Sequence, residues 1–181
     1  MSSKLHRIAA GAALLALTAP NAVQARACMK AENLADAVVY SVPVAYDAFT
    51  AKCGKQLPKD GFIARNGTAF VDSYRAQQEA AWPGALQFLM TFIDGDRGGV
   101  SSTDIKNLVD AMPPELLRPI VDEKIAMEIG KSIKTTDCGR IERVLEPIAP
   151  LPPENLGQLV ATILELAPDR GREPRICRAE K

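Results

Sequence analysis

Thirteen prolines punctuate a chain of 181 residues whose apolar side chains recur at intervals of three and four. That spacing belongs to α-helices, and no long stretch alternates polar with apolar residues as a strand would. Proline lacks an N–H and clashes with the preceding turn, so it ends a helix or opens one. Together these features predict an all-α protein, a compact orthogonal bundle of short helices delimited by prolines.

Leu34, Val38 and Val42 form one stripe, which Tyr46, Phe49 and Cys53 continue, with Pro43 in its middle. Two readings fit. One is a single kinked helix from about residue 31 to 52. The other is a helical hairpin in which Ser41 caps a second arm and Pro43 sits in its first turn. Asn66-Gly67-Thr68 reads as a helix stop followed by a start. From Thr68 the pattern runs past Trp82 and Pro83 to Ile93, as one kinked helix or two in series. A further helix spans Pro114 to Ile133, with Pro119 early enough not to break it. Cys138 opens a short helix and Pro147 to Pro153 forms a turn. The last helix, Pro153 to Ala167, points Leu156, Val160, Ile163 and Leu164 inward.

Residues 1–27 read as a signal peptide. Lys4 and Arg7 form a positive head, Ile8 to Leu17 is uncharged and apolar, and Ala25-Arg26-Ala27 gives a small-x-small cleavage pattern. The apolar stretch falls well short of the roughly 20 residues of a membrane span. The expectation is therefore an exported chain, periplasmic or secreted, with one helical domain over residues 28–181 and an irregular tail from about 168. It would have no transmembrane segment after cleavage. Of 22 basic and 22 acidic side chains, the leader holds three basic ones (Lys4, Arg7 and Arg26), which leaves a net charge of −3. Nucleic-acid readers need a basic stripe, so nucleic acid is not an expected partner. The single histidine, His6, belongs to the leader. Without imidazole the rest of the chain lacks the usual nucleophile–base pairs and the usual catalytic zinc ligands. No catalytic residue is assigned, and the chain reads as more suited to binding than to catalysis.

Cys28, Cys53, Cys138 and Cys177 are an even set without CxxC spacing, which predicts two structural disulfides in an oxidising compartment. A lipid-modified Cys28 is a weaker alternative, because Arg26 suits a lipoprotein site poorly. In a straight helix Cys28 and Cys53 would lie about 37 Å apart at 1.5 Å per residue, far beyond the about 7 Å a disulfide allows. A hairpin turning at residues 41 to 43 brings them together, and the C-terminal half has a similar plan. The favoured pairing is therefore Cys28–Cys53 with Cys138–Cys177. An unbroken helix through Pro43 would instead force pairing between the two halves.

Between Phe92 and Ile105 the sequence resembles the calcium loop of an EF-hand. Asp94 and Asp96 match its first and third ligands, and Gly99 its glycine turn. The match fails afterwards, because Ile105 stands where a bidentate glutamate belongs. The loop is thus a candidate for weak calcium binding through Asp94 and Asp96, and no other cofactor is indicated. Glu79 near Trp82 has the look of a carboxyl held beside an aromatic, which raises a catalytic acid's pKa. Phe88, Met90, Met112 and Met127 are candidates for lining an apolar groove. The leading expectation is an exported non-enzymatic helical domain that binds a protein or small apolar ligand in the cell envelope. The alternatives are a calcium-dependent interaction module and a carboxylate-based envelope hydrolase. A concave pocket with convergent carboxylates would favour the last.

Overall fold

The computed structural model describes residues 28–95, 107, 109–168 and 175–177. Six α-helices account for most of them: α1 (Ala31–Cys53), α2 (Phe62–Arg75), α3 (Gln78–Gly95), α4 (Pro114–Ser132), α5 (Cys138–Ile148) and α6 (Pro153–Leu166). A 3-10 turn, Thr135–Asp137, leads into α5, and residues 109–111 are helical. The all-α expectation holds.

The organising element is α1, which packs against α2, α3, α4 and α6. It runs unbroken through Pro43. An interior proline costs about 3 kcal/mol in helix propensity. Burial outweighs that cost, because Leu34, Val39, Tyr40, Pro43, Phe49 and Cys53 are all buried and each large apolar side chain contributes roughly 1.5–3 kcal/mol. Pro43 has no N–H to give the carbonyl of Val39. Its neighbour, the Tyr40 carbonyl, accepts a hydrogen bond from Gln78 Nε2 of α3 at 3.0 Å, so a side chain reinforces the ladder where the proline weakens it.

The unbroken α1 overturns the favoured disulfide pairing. Its two ends are too far apart for Cys28–Cys53, and with that bond gone Cys138–Cys177 falls as well. The bonds are Cys28–Cys177, with Cα atoms 4.9 Å apart, and Cys53–Cys138, with Cα atoms 5.6 Å apart. Both join the two halves, as a continuous helix requires, and one is nested inside the other. Cys28 is therefore engaged through its sulfur, which leaves lipidation there without support. A short parallel bridge accompanies the outer bond: the Met29 N–H donates to the Arg175 carbonyl (2.7 Å) and the Cys177 N–H to the Met29 carbonyl (2.8 Å).

Gly67 also departs from expectation. It sits inside α2 and the helix break falls at Ala76–Gln77 instead. A Cβ at Gly67 would collide with the Tyr46 hydroxyl, so the glycine makes room for a packed tyrosine rather than stopping a helix. Prolines do delimit α4 and α6, where Pro114 and Pro153 occupy the first turn, whereas Pro83, Pro119 and Pro147 lie inside helices.

The main core gathers Tyr40, Phe62, Phe70, Val71, Tyr74, Trp82, Leu117 and Leu156 around α1. Phe70 is the hub of an aromatic chain, with Phe62, Tyr46 and Tyr74 rings 5.1–6.4 Å from it. A smaller cluster of Phe49 around the Cys53–Cys138 bond closes one end, and Met29, Leu34 and Ala161 close the other. Among the described residues no helix is long and apolar enough to cross a membrane.

Candidate functional site

The described side chains singled out from sequence do not converge on one site. Asp94 lies in the last turn of α3, but its side chain and the whole of Asp96 are outside the described residues, as is the rest of the EF-hand-like loop. Among the described residues no group of three His, Cys, Asp or Glu side chains is placed to hold a metal ion. Met90 is buried and Phe88 packs against the Met29 cluster. Met112 leans on the main core, while Met127 is exposed on α4, so these four line no common groove.

Glu79 has the opposite character from a poised acid. Both its oxygens meet the Arg118 guanidinium, one at 2.8 Å from the second guanidinium nitrogen, and this hydrogen bonding holds its carboxyl below the usual range. The same guanidinium lies over the Trp82 ring at 5.1 Å. Next to it, the Tyr40 hydroxyl donates to Asp122 at 2.8 Å, and the Tyr40 and Trp82 rings stand 5.0 Å apart. Tyr40 is pushed well above the usual phenol range, first by burial and then by its bond to Asp122. This group ties α1, α3 and α4 together; its charges are already spent on each other.

A different place has charges left over. Between the first half of α1, the start of α3 and the length of α6 lies a groove of about 470 Å³, within the size range of small-ligand sites. Its floor is aliphatic, Ala31, Ala35, Val39, Ala81 and Ala161, with Ala80 exposed beside them. Its rim is polar: Glu32 and Asp36 from α1, Gln77 from the start of α3, and Glu154, Gln158 and Thr162 from α6. Small residues explain why the helices come so close. A Cβ on Gly157 of α6 would stand 2.6 Å from the Ala35 carbonyl oxygen, backbone that has no room to move aside. A Cβ on Gly84 of α3 would stand 2.7 Å from both Cβ and Cγ of Asp36. Glycine inside a helix costs about 1 kcal/mol against alanine, and here it seats the Asp36 side chain on α3.

The three acids differ in their surroundings. Glu154 accepts from Gln77 Nε2 at 3.1 Å; its own backbone N–H and then Gln77 keep its carboxyl below the usual range. Glu32 pairs with Lys30 at 3.5 Å, both side chains exposed. Asp36 has no hydrogen-bond or ion-pair partner among the described residues, and burial, with Glu32 one turn away, pushes its carboxyl up. Among the described residues no basic side chain lines the groove. Glu32, Asp36 and Glu154 are not marked as site residues by any motif in the sequence. The available signal was small residues at four-residue spacing, Ala31–Ala35 and Gly157–Ala161, alongside Glu32–Asp36 at the same interval. No protein-family model, curated protein or solved structure matches this chain.

Proposed function

We propose that this chain is an exported, non-enzymatic binding domain of the cell envelope and that the groove between α1, α3 and α6 is its ligand seat. The leader pattern at residues 1–27 and the two disulfides support export. The observation that carries the binding reading is Asp36, a carboxylate held at the edge of an aliphatic groove with no hydrogen-bond or ion-pair partner among the described residues. A ligand in that groove is held by rigid helices instead of loops, so little ordering is needed on binding. The lining of alanines, amides and carboxylates offers no aromatic platform for a sugar ring, and Glu79 is neutralised by Arg118. Both favour binding over envelope hydrolysis.

The test is ligand screening by amide chemical-shift mapping of the oxidised protein, with small sugars, carboxylates, amines and short acyl compounds. The expected result is that one class moves amides of residues 31–39 and 154–162. The variant Ala80→Trp, which fills the groove from an exposed position, should abolish those shifts. If no class moves these amides, or if Ala80→Trp binds as well as the parent, the groove is not the seat.

The protein-partner form of this reading rests on a separate observation. Helix α6 leaves Leu159, Ile163 and Leu166 exposed in one line, with Leu166 at 78 %. Ile163 was expected inward, but the inward face belongs to Leu156, Gly157 and Ala161. A row of exposed aliphatics suits a protein contact. Such a contact predicts capture of a partner from envelope extract that Ile163→Glu abolishes and Ala80→Trp does not.

A further inference from the structure

We infer that the groove between α1, α3 and α6 takes an aliphatic diamine or polyamine, one ammonium group at Asp36 and Glu32 and the other at Glu154. This inference rests on the groove being the ligand seat and names the chemistry of its ligand.

Three observations converge on that class. The first is the sign of the rim. Among the described lining residues Glu32, Asp36 and Glu154 are the charged side chains, and Lys30 beside them is exposed and turned to Glu32. A cationic ligand gains from all three acids, whereas an anionic one meets three like charges. The second is how the acids are spread. They do not gather into a set that could ligate a metal. Glu32 and Asp36 lie one turn apart on α1. Glu154 belongs to the opposite wall, where its partner Gln77 adjoins Gln78, which in turn meets the Tyr40 carbonyl. Gly157 packs against Ala35 and Val39 while Ala161 clusters with Leu34, so α6 runs antiparallel to α1. Glu154, about a turn before Gly157, lies beyond Asp36 toward Tyr40, an offset on the order of 6 Å along the axis. Charge at two separated points fits two ammonium groups rather than one ion.

The third observation is the floor. Between the acidic ends it is made of alanine methyls and Val39, a strip that covers methylene groups and offers them nothing polar. At the rim, Gln158 and Thr162 add side-chain acceptors for the remaining ammonium hydrogens. A primary ammonium brings three donors to a site whose carboxylates only accept, so the hydrogen-bonding roles are complementary.

The experiment is calorimetric titration of the oxidised protein with 1,4-diaminobutane and spermidine, set against n-butylamine, 1,4-butanediol and calcium chloride, with amide shifts followed in parallel. The diamine and spermidine should bind saturably and move amides at Glu32, Asp36 and Glu154. Butylamine should bind at least about tenfold more weakly, the loss of one charge-assisted contact. Butanediol and calcium should leave these amides unmoved. Asp36→Asn should weaken the diamine about tenfold or more. Glu154→Gln should weaken the diamine but not butylamine, which erases the difference between them, and Glu32→Gln provides a second variant at the Asp36 end. Equal affinity for butylamine and diamine would overturn the two-point seating. Binding of butanediol as tight as the diamine would show that charge is irrelevant and overturn the ligand class. If the amines fail while a sugar, acid or acyl compound moves the groove amides, the ligand class is wrong and the seat stands. If nothing moves them, the seat itself is wrong.

Discussion

Two tyrosines in one core make opposite demands on their hydroxyls. Tyr40 donates to Asp122 at 2.8 Å. Tyr74 is 0 % exposed and its hydroxyl has no partner among the described residues. A hydrogen bond to a charged acceptor contributes about 1.5–3 kcal/mol, while an unpaired buried hydroxyl carries a desolvation cost of about 1–3 kcal/mol. Tyr74→Phe is therefore expected to raise stability by about 1 kcal/mol, and Tyr40→Phe to lower it by about 2 kcal/mol, both read from urea unfolding midpoints. A loss on Tyr74→Phe would mean that its hydroxyl is satisfied after all. Asp36 gives a pH-dependent counterpart. Its folded pKa is raised above the ordinary 3.8, so the folded state bears a penalty while Asp36 is ionised and sheds it on protonation. The charged groups around it are Glu32 on its own helix and Glu154 on α6; α3 brings Gln77, Ala80, Ala81 and Gly84, none charged. Asp36→Asn should raise the melting temperature near neutral pH. The gain should shrink as pH falls through the raised value and vanish below 3.8. A gain that persists at pH 3 would not come from this ionisation.

At the scale of the element, α2 shows how helices here borrow what their own sequence lacks. Its N-cap is Gly61, without a capping side chain, and its first turn holds no acid. The cap comes from α5 instead. Glu142, only 6 % exposed, accepts the Ile63 N–H at 2.9 Å, and Gly61 leaves space for it, since a Cβ there would run into the carboxylate. The carboxylate meets one orphan donor and the positive end of the helix dipole together. Glu142→Ala is expected to cost about 2 kcal/mol and to speed amide exchange selectively in residues 62–66. Uniform loss of protection across all helices would instead point to a general packing defect. Such loans also mark where sequence reasoning ran out. Helix identity, the proline starts at Pro114 and Pro153, and the two-disulfide count were legible, because each rests on residues close in the chain. Beside Arg143 and Glu146 nothing local marks Glu142 as a cap, since its partner Ile63 is 79 positions away. Pro43 looked like a corner because the proline cost is local, whereas the burial that outweighs it comes from four other helices. The groove was hidden for the same reason: Asp36, Gly84 and Glu154 acquire meaning only when α1, α3 and α6 are laid together.

For the whole molecule the nested disulfides set a hierarchy. The outer bond, Cys28–Cys177, spans 149 positions and ties the short N-terminal bridge to residues 175–177. The inner bond, Cys53–Cys138, spans 85 and fastens the end of α1 to the start of α5. Longer loops lose more freedom when closed, so each bond restrains the unfolded chain by roughly 4–5 kcal/mol in the chain-entropy model, above what short local clips would supply. Their accessibility differs in the opposite sense from their span. Cys53 and Cys138 are 0 % and 1 % exposed, wrapped by Phe49, Leu57, Ile63 and Leu145, while Cys28 is on the surface. Thiol–disulfide exchange needs a thiolate to reach sulfur, so mild reductant on the native protein should open Cys28–Cys177 first. The inner bond should yield only as the molecule unfolds. Trapping with a thiol reagent, followed by peptide mapping, is expected to find Cys28 and Cys177 labelled while Cys53 and Cys138 stay paired. Helix content should persist in that intermediate, because the core around α1 and the inner bond remain intact. Its melting temperature should fall, because the constraint on the unfolded chain is gone. Equal labelling of all four cysteines at low reductant would mean that the inner bond is open to solvent and that the Phe49 cluster does not shield it.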